Sequence, residues 1–170
     1  MDIRTALKGQ YHAALETLRR TIEQCPDLLW NDGPHATPYW RVAYHTLYFT
    51  HLYLQRRLED FTPWERHRGE HHDLPYPPES AQPIADPYTR DDLLSYWTLC
   101  DRMVDACVDR LDLDAAGAGF PWHATMPKLE HQLHSIRHIQ HHAALLSGRL
   151  RLHDGTDIGW VRTGGQKAET

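Results

Sequence analysis

The sequence predicts an all-α fold: a four-helix bundle with a long crossover between its second and third helices, in up-down-down-up order. Three observations predict it. Four stretches carry apolar residues at alternating three- and four-residue spacing, no stretch alternates convincingly as a strand does, and the Pro-rich connector 61–87 is as long as a helix. The 170 residues suit one domain with a sizeable core, and the hydrophobic (41%) and charged (24%) fractions are those of an ordinary soluble globular chain. Residues 1–150 are read as the bundle. Residues 151–170 are read as a tail that docks in part through Ile158, Trp160 and Val161 and ends in a mobile segment from Gly164.

Each helix follows from its own residues. The first, about Asp2 to Gln24, presents Leu7, Tyr11, Ala14, Leu18 and Cys25 on one face and stops at Pro26. The second is introduced by Thr37-Pro38, read as an N-cap with proline at the first helical position, and extends to about Asp60. It has two apolar stripes on nearly opposite sides: Trp40, Tyr44, Leu47, His51, Leu54 and Leu58 on one, and Val42, His45, Phe49 and Leu52 on the other. Such a helix is buried or lines a cavity. The third opens near Thr89, with Asp91 and Asp92 in its first turn, and buries Leu93, Trp97, Cys100, Val104, Cys107 and Leu111. The fourth starts near Pro127 behind Thr125 and runs to about Leu150, with Leu129, Leu133, Ile136, Ala143 and Leu150 toward the core; an Asp154-Gly155 turn follows.

Composition excludes several classes of function. A net charge of -5 without a basic patch argues against nucleic acid, whose affinity comes largely from Lys and Arg on phosphates. No apolar run approaches the roughly 20 residues that span a bilayer, and the N-terminus has no signal-peptide pattern, so a cytoplasmic location is the expectation. Cys25, Cys100 and Cys107 form no CxxC pair; they read as core residues of a reducing compartment. No Glu-x-x-His di-iron motif, His-Glu-x-x-His helix, phosphate-binding Gly loop or Gly-x-Ser-x-Gly elbow occurs.

Histidine is the outlier, at 14 of 170 residues. In the fourth helix His138 and His142 are four apart and can aim two imidazoles at one point, but His134 and His138 share that spacing, and a solvated histidine face is the plain alternative. His45 sits in the second apolar stripe of helix two, between Val42 and Phe49. At about 1.5 Å per residue, His45 and the His138/His142 pair lie at similar depth if the two helices run antiparallel, and miss by on the order of 10 Å if parallel. The antiparallel case requires helices two and three to run the same way, which the long connector permits. His12 and Glu16, four apart on helix one, are a second candidate pair, read chiefly as a surface pair. The connector histidines His67, His71 and His72 are expected to face solvent, and Trp64, Tyr76 and Tyr88 to be surface aromatics.

The segments Tyr39-Trp40-Arg41-Val42-Ala43-Tyr44-His45 and Arg137-His138-Ile139-Gln140-His141-His142 resemble the DinB-like (DinB/YfiT-type) metal-binding four-helix bundles over roughly residues 1–150. The resemblance implies His45, His138 and His142 as ligands of one divalent transition metal, with His141 not a ligand, and a crossover between helices two and three. The chain departs from many members in having Ala143-Ala144-Leu145 after the last histidine, where they carry an Arg-Gly-Gln stretch. Three imidazoles leave coordination positions open, as catalytic sites do, and suit Zn, Ni, Cu, Fe or Mn. The resemblance further implies a metal-dependent transferase that uses a low-molecular-weight thiol on a small electrophilic substrate. The alternatives are a metal-dependent hydrolase, or a non-enzymatic, metal-stabilised homodimer acting through its surface aromatics. The sequence names no catalytic residue.

Overall fold

The computed structural model describes residues 2–31, 35–74, 84 and 86–164, and in it the chain is all-helical. Asp2 caps the first helix, its carboxylate accepting from the Arg4 amide, and α1 spans Ile3–Gln24. A one-turn helix not foreseen in the sequence, α2 (Asp27–Trp30), follows Pro26. Its Trp30 indole donates to the Tyr88 carbonyl at 2.8 Å, tying this turn to the start of the third long helix. The other long helices are α3 (Tyr39–Tyr53), α4 (Arg90–Arg110) and α5 (Lys128–Asp154). Among the described residues there is no strand, and no helix is long and apolar enough to cross a membrane.

Thr89 caps α4 in a reciprocal box: its hydroxyl accepts from the Asp92 amide and its own amide donates to the Asp92 carboxylate, a device worth on the order of 1 kcal/mol. The expected caps Thr37 and Thr125 do not serve. Pro38 and Pro127 occupy the N-cap positions, and no side chain caps either helix. Helix α5 continues one turn beyond Leu150 and stops where Gly155, at φ +82°, takes the left-handed conformation.

Helix α3 ends at Tyr53, short of the expected Asp60, because other partners claim the backbone groups beyond it. The Lys128 ammonium donates to the Arg56 carbonyl (2.6 Å) and to that of Ala118, and the Leu58 amide donates to the Gly119 carbonyl. Gly119 has φ +84°, and a Cβ there would lie 2.4 Å from the Arg56 oxygen, so only glycine lets the two segments meet.

Helices α1 and α3 each pack on both α4 and α5. From Thr37, just before α3, and on along the helix through His45, Phe49 and Tyr53, the partners are Arg149, His142, His138 and His131 in turn, so α3 and α5 run in opposite directions. Against α4 the order rises on both sides: Tyr44 with Tyr96, then Leu47 with Cys100. The core joins Leu7, Tyr11, Leu15 and Leu18 of α1 to Trp40, Tyr44, Leu47, Val104, Ile139, Leu146 and Leu150. All three cysteines are buried and free, as expected of core residues, and burial holds the Cys25 thiol up at about 12.

The connector departs from expectation. Trp64 is 7% exposed and stacks on Tyr96 (4.5 Å, 5°), while Tyr88 is 1% exposed and lies against Tyr44 at 4.5 Å. Neither is a surface aromatic; Tyr76 lies outside the described residues. His71, 2% exposed, is enclosed by Trp40 and Tyr88 and reaches the Asp86 carbonyl, so it does not face solvent. In the tail, Ile158 is buried while Trp160 is 75% exposed, and the Gly164 amide donates to the Gly9 carbonyl. Residues 165–170 of the expected mobile end lie outside the described residues.

Candidate metal centre

His45 projects from the middle of α3, and His138 and His142 from successive turns of α5. Because the two helices run in opposite directions, the three rings converge. Ring centroids are 5.1 Å apart for His45–His138, 4.9 Å for His45–His142 and 4.6 Å for His138–His142. One ring nitrogen of each lies within 4.8 Å of the others. His138 Nε2 is 3.1 Å from His45 Nε2 and 3.2 Å from His142 Nε2. Ligand nitrogens about 2.0–2.1 Å from a tetrahedral zinc are about 3.4 Å from one another, so these separations are nearly those of a formed site.

The proton inventory points the same way. A neutral imidazole has one N–H and one lone pair. His45 Nδ1 donates to the His72 carbonyl at 2.7 Å, which leaves the lone pair on Nε2, facing the other two rings. A single proton on His138 Nε2 would have to be split between two neighbours, whereas one cation meets all three lone pairs. Burial is the main force on each ring: it pushes His45 down to about 4, His138 to about 2 and His142 to about 3, with the neighbouring rings adding to the shifts of the last two. All three are therefore neutral at pH 7, the form a metal requires.

The surroundings hold the rings in place. Phe49, one turn after His45, packs 4.7 Å from its ring and 5.8 Å from that of His138, making an apolar wall. Tyr48 stacks on His72 (4.3 Å, 26°) and on His67 (5.1 Å, 22°), and so fixes the loop that presents the His72 carbonyl. Neither loop histidine is fully exposed. This outer partner had no signal in the sequence, because it is a backbone oxygen brought in from 27 residues away. His142 Nδ1 is buried without a protein partner. His45 and His138 are partly exposed, and His138 lines an open groove with His134, Arg137, Gln140, His141 and Ala144.

The rival pairings do not form. His134 lies one turn earlier on α5 and gathers with His131 and His123, away from His45. His12 pairs with Asp101 (2.6 Å) and Asp105 across α4, and Glu16 with Arg19 and Arg20, so these two make no joint site. The buried face of α5 also differs from the expected Leu/Ile stripe: Leu133 is 49% exposed, while His131, Gln132, Ser135, Ile139 and His142 point inward. The histidine groups can hold a metal ion. No protein-family model, curated protein or solved structure matches this chain.

Proposed function

We propose that the chain is a DinB-like four-helix bundle in up-down-down-up order that binds one divalent transition metal through His45, His138 and His142 and transfers a low-molecular-weight thiol to a small electrophile. The observation that carries the metal reading is the approach of two Nε2 atoms to the Nε2 of His138, at 3.1 and 3.2 Å, in a setting that keeps all three rings neutral. The resemblance of the two histidine-bearing segments to the DinB-like family carries the thiol reading.

A divalent ion held by three imidazoles keeps positions open and lowers the pKa of a thiol or water that joins it. The residues around it supply the rest. The carbonyl of His72 sets the tautomer and angle of His45, and Phe49 excludes water from one side of the rings. The groove beside His138 admits a small molecule from solvent. On its rim Arg137 is exposed and offers a guanidinium to a carboxylate such as those of glutathione. In the transfer, a sulfur–carbon bond forms, the displaced group departs with its electron pair, and the thiol proton passes to solvent. Among the described residues no Asp or Glu lines this groove; the carboxylate whose charge acts on the centre is that of Asp73, on the His45 side. With Trp64 and Tyr88 buried, two of the aromatics that suggested a dimer no longer do so.

The test is a conjugation assay on metal-loaded protein with bacillithiol, mycothiol and glutathione against a panel of small electrophiles. The expected result is conjugate formation above the uncatalysed rate with at least one thiol, lost in His45→Ala. Absence of turnover across all three thiols, with metal shown to be bound, would contradict the transferase reading.

A further inference from the structure

About two turns away along α5 lies a second set of three histidines that the first site does not use. His131 and His134, three apart on the helix, face His123, which ends the 3-10 turn Pro121–His123. One ring nitrogen of each lies within 4.8 Å of the others. The ring centroids are 5.2 Å (His123–His131), 5.0 Å (His123–His134) and 6.0 Å (His131–His134) apart.

Two features separate this group from a casual cluster of histidines. His131 is 0% exposed, and each of the three rings keeps one buried nitrogen without any protein partner: Nδ1 of His123, Nε2 of His131 and Nδ1 of His134. Buried polar atoms are nearly always satisfied, and three orphans in one triad mark a missing partner. A divalent transition ion is such a partner, since each neutral imidazole offers one lone pair. The other nitrogen of His131 faces Gln132 Nε2 at 3.4 Å, at the outer limit of a hydrogen bond. The Gln132 amide is a donor, so binding an ion through Nε2 moves the ring proton to Nδ1 and gives this weak contact up. The His131 ring is held between Phe120 (5.1 Å, 26°) and Tyr53 (4.6 Å, 73°), so its direction is set by packing rather than by a ligand.

We infer that His123, His131 and His134 form a second, independent binding site for a divalent transition ion of the zinc, cobalt, nickel or copper type. Three imidazoles without a carboxylate select such ions over magnesium or calcium. The midpoints of the two histidine pairs on α5 are about 7.5 residues apart, roughly 11 Å along the helix, against about 3.5–4 Å in two-metal catalytic sites. The two ions therefore do not share ligands or a bridging atom. The second site is the weaker. Its nitrogens must still close up from as much as 4.8 Å, and the Lys128 ammonium, which acts on His131 by its charge, is itself held by two carbonyls beside it.

Titration of the apoprotein with cobalt(II), read by ligand-field absorbance and by elemental analysis after desalting, tests this. The expected stoichiometry is two ions for the wild type, filling in sequence, one for His123→Ala, one for His138→Ala and none for the double variant. His123 sits in a partly exposed loop turn, so its removal leaves the helices folded, which circular dichroism verifies; His131→Gln is the second variant. A wild type that binds a single ion, unchanged in His123→Ala and His131→Gln, overturns the inference. So does a second ion lost equally on mutating the exposed His153, since that is surface binding. A count that falls in His123→Ala but not in His138→Ala sustains this site while removing the first.

Discussion

His138→Ala loses the tighter-bound zinc: competition against a chelator should show an affinity lower by more than about 100-fold. Removing an outer-sphere partner of a metal ligand typically costs about 10–100-fold, and His138 is not an outer partner. Its Nε2 is the atom that both other rings approach, so its loss leaves two imidazoles on different helices with no third donor between them. His45→Ala and His142→Ala should behave alike. His141→Ala, which removes an exposed ring on the same helix, should leave the affinity unchanged. Equal affinity in His138→Ala and wild type, with both folded, would remove the site.

The apoprotein should lose stability steeply below about pH 6. Burial places His45 and His51 at about 4, His131 and His142 at about 3 and His138 at about 2 in the folded chain, against about 6.5 when unfolded. Between those limits the unfolded state binds protons that the folded state refuses. Stability therefore rises with pH up to about 6.5 and falls as acid is added. Each such ring contributes up to about 1.4 kcal/mol per pH unit, so two acting fully would remove about 3 kcal/mol per unit from a total of roughly 5–15. His12 works the other way. Its bond to the Asp101 carboxylate raises its pKa, giving stability that is present below 6.5 and lost as pH rises through the folded value. One ring of that kind does not offset five of the other. Urea midpoints in the presence of chelator should drop from pH 7.5 to 6 and drop further at 5; a flat profile would mean that the rings are not held neutral. Zinc should move the acid limb to lower pH, since the ion competes with protons for the same lone pairs.

What the sequence reveals of this fold is set by how local each cause is. The face of α1, the Thr89 start of α4 and the double stripe of α3 as far as Tyr53 are encoded by spacing within one helix, and they appear where that spacing put them; Leu54 and Leu58 of the expected stripe lie beyond the helix. Rise per residue put His45 level with the His138/His142 pair only for antiparallel helices and left His134 as a rival; the choice of His138 and His142 came from the resemblance to the DinB-like segments. The misreadings share one cause. On α5 the inward face carries His131, Gln132, Ser135 and His142, so counting leucines pointed the helix partly outward and left Leu133 in solvent. In the connector, proline and charge correctly suggest a loop. The burial of Trp64 on Tyr96 and of His71 against Trp40 depends on partners tens of residues away, which no local pattern encodes. His123 stands in a loop without periodicity, so nothing tied it to His131 and His134 before the loop's path was known.

The most direct test of the central claim is an anomalous-difference map, recorded at the zinc edge, from crystals grown with the metal. The prediction is a peak about 2.0–2.1 Å from a ring nitrogen each of His45, His138 and His142, with His72 still accepting from His45 Nδ1. A map with no peak among those three rings, or with His45 turned away from a peak on α5 alone, would contradict it.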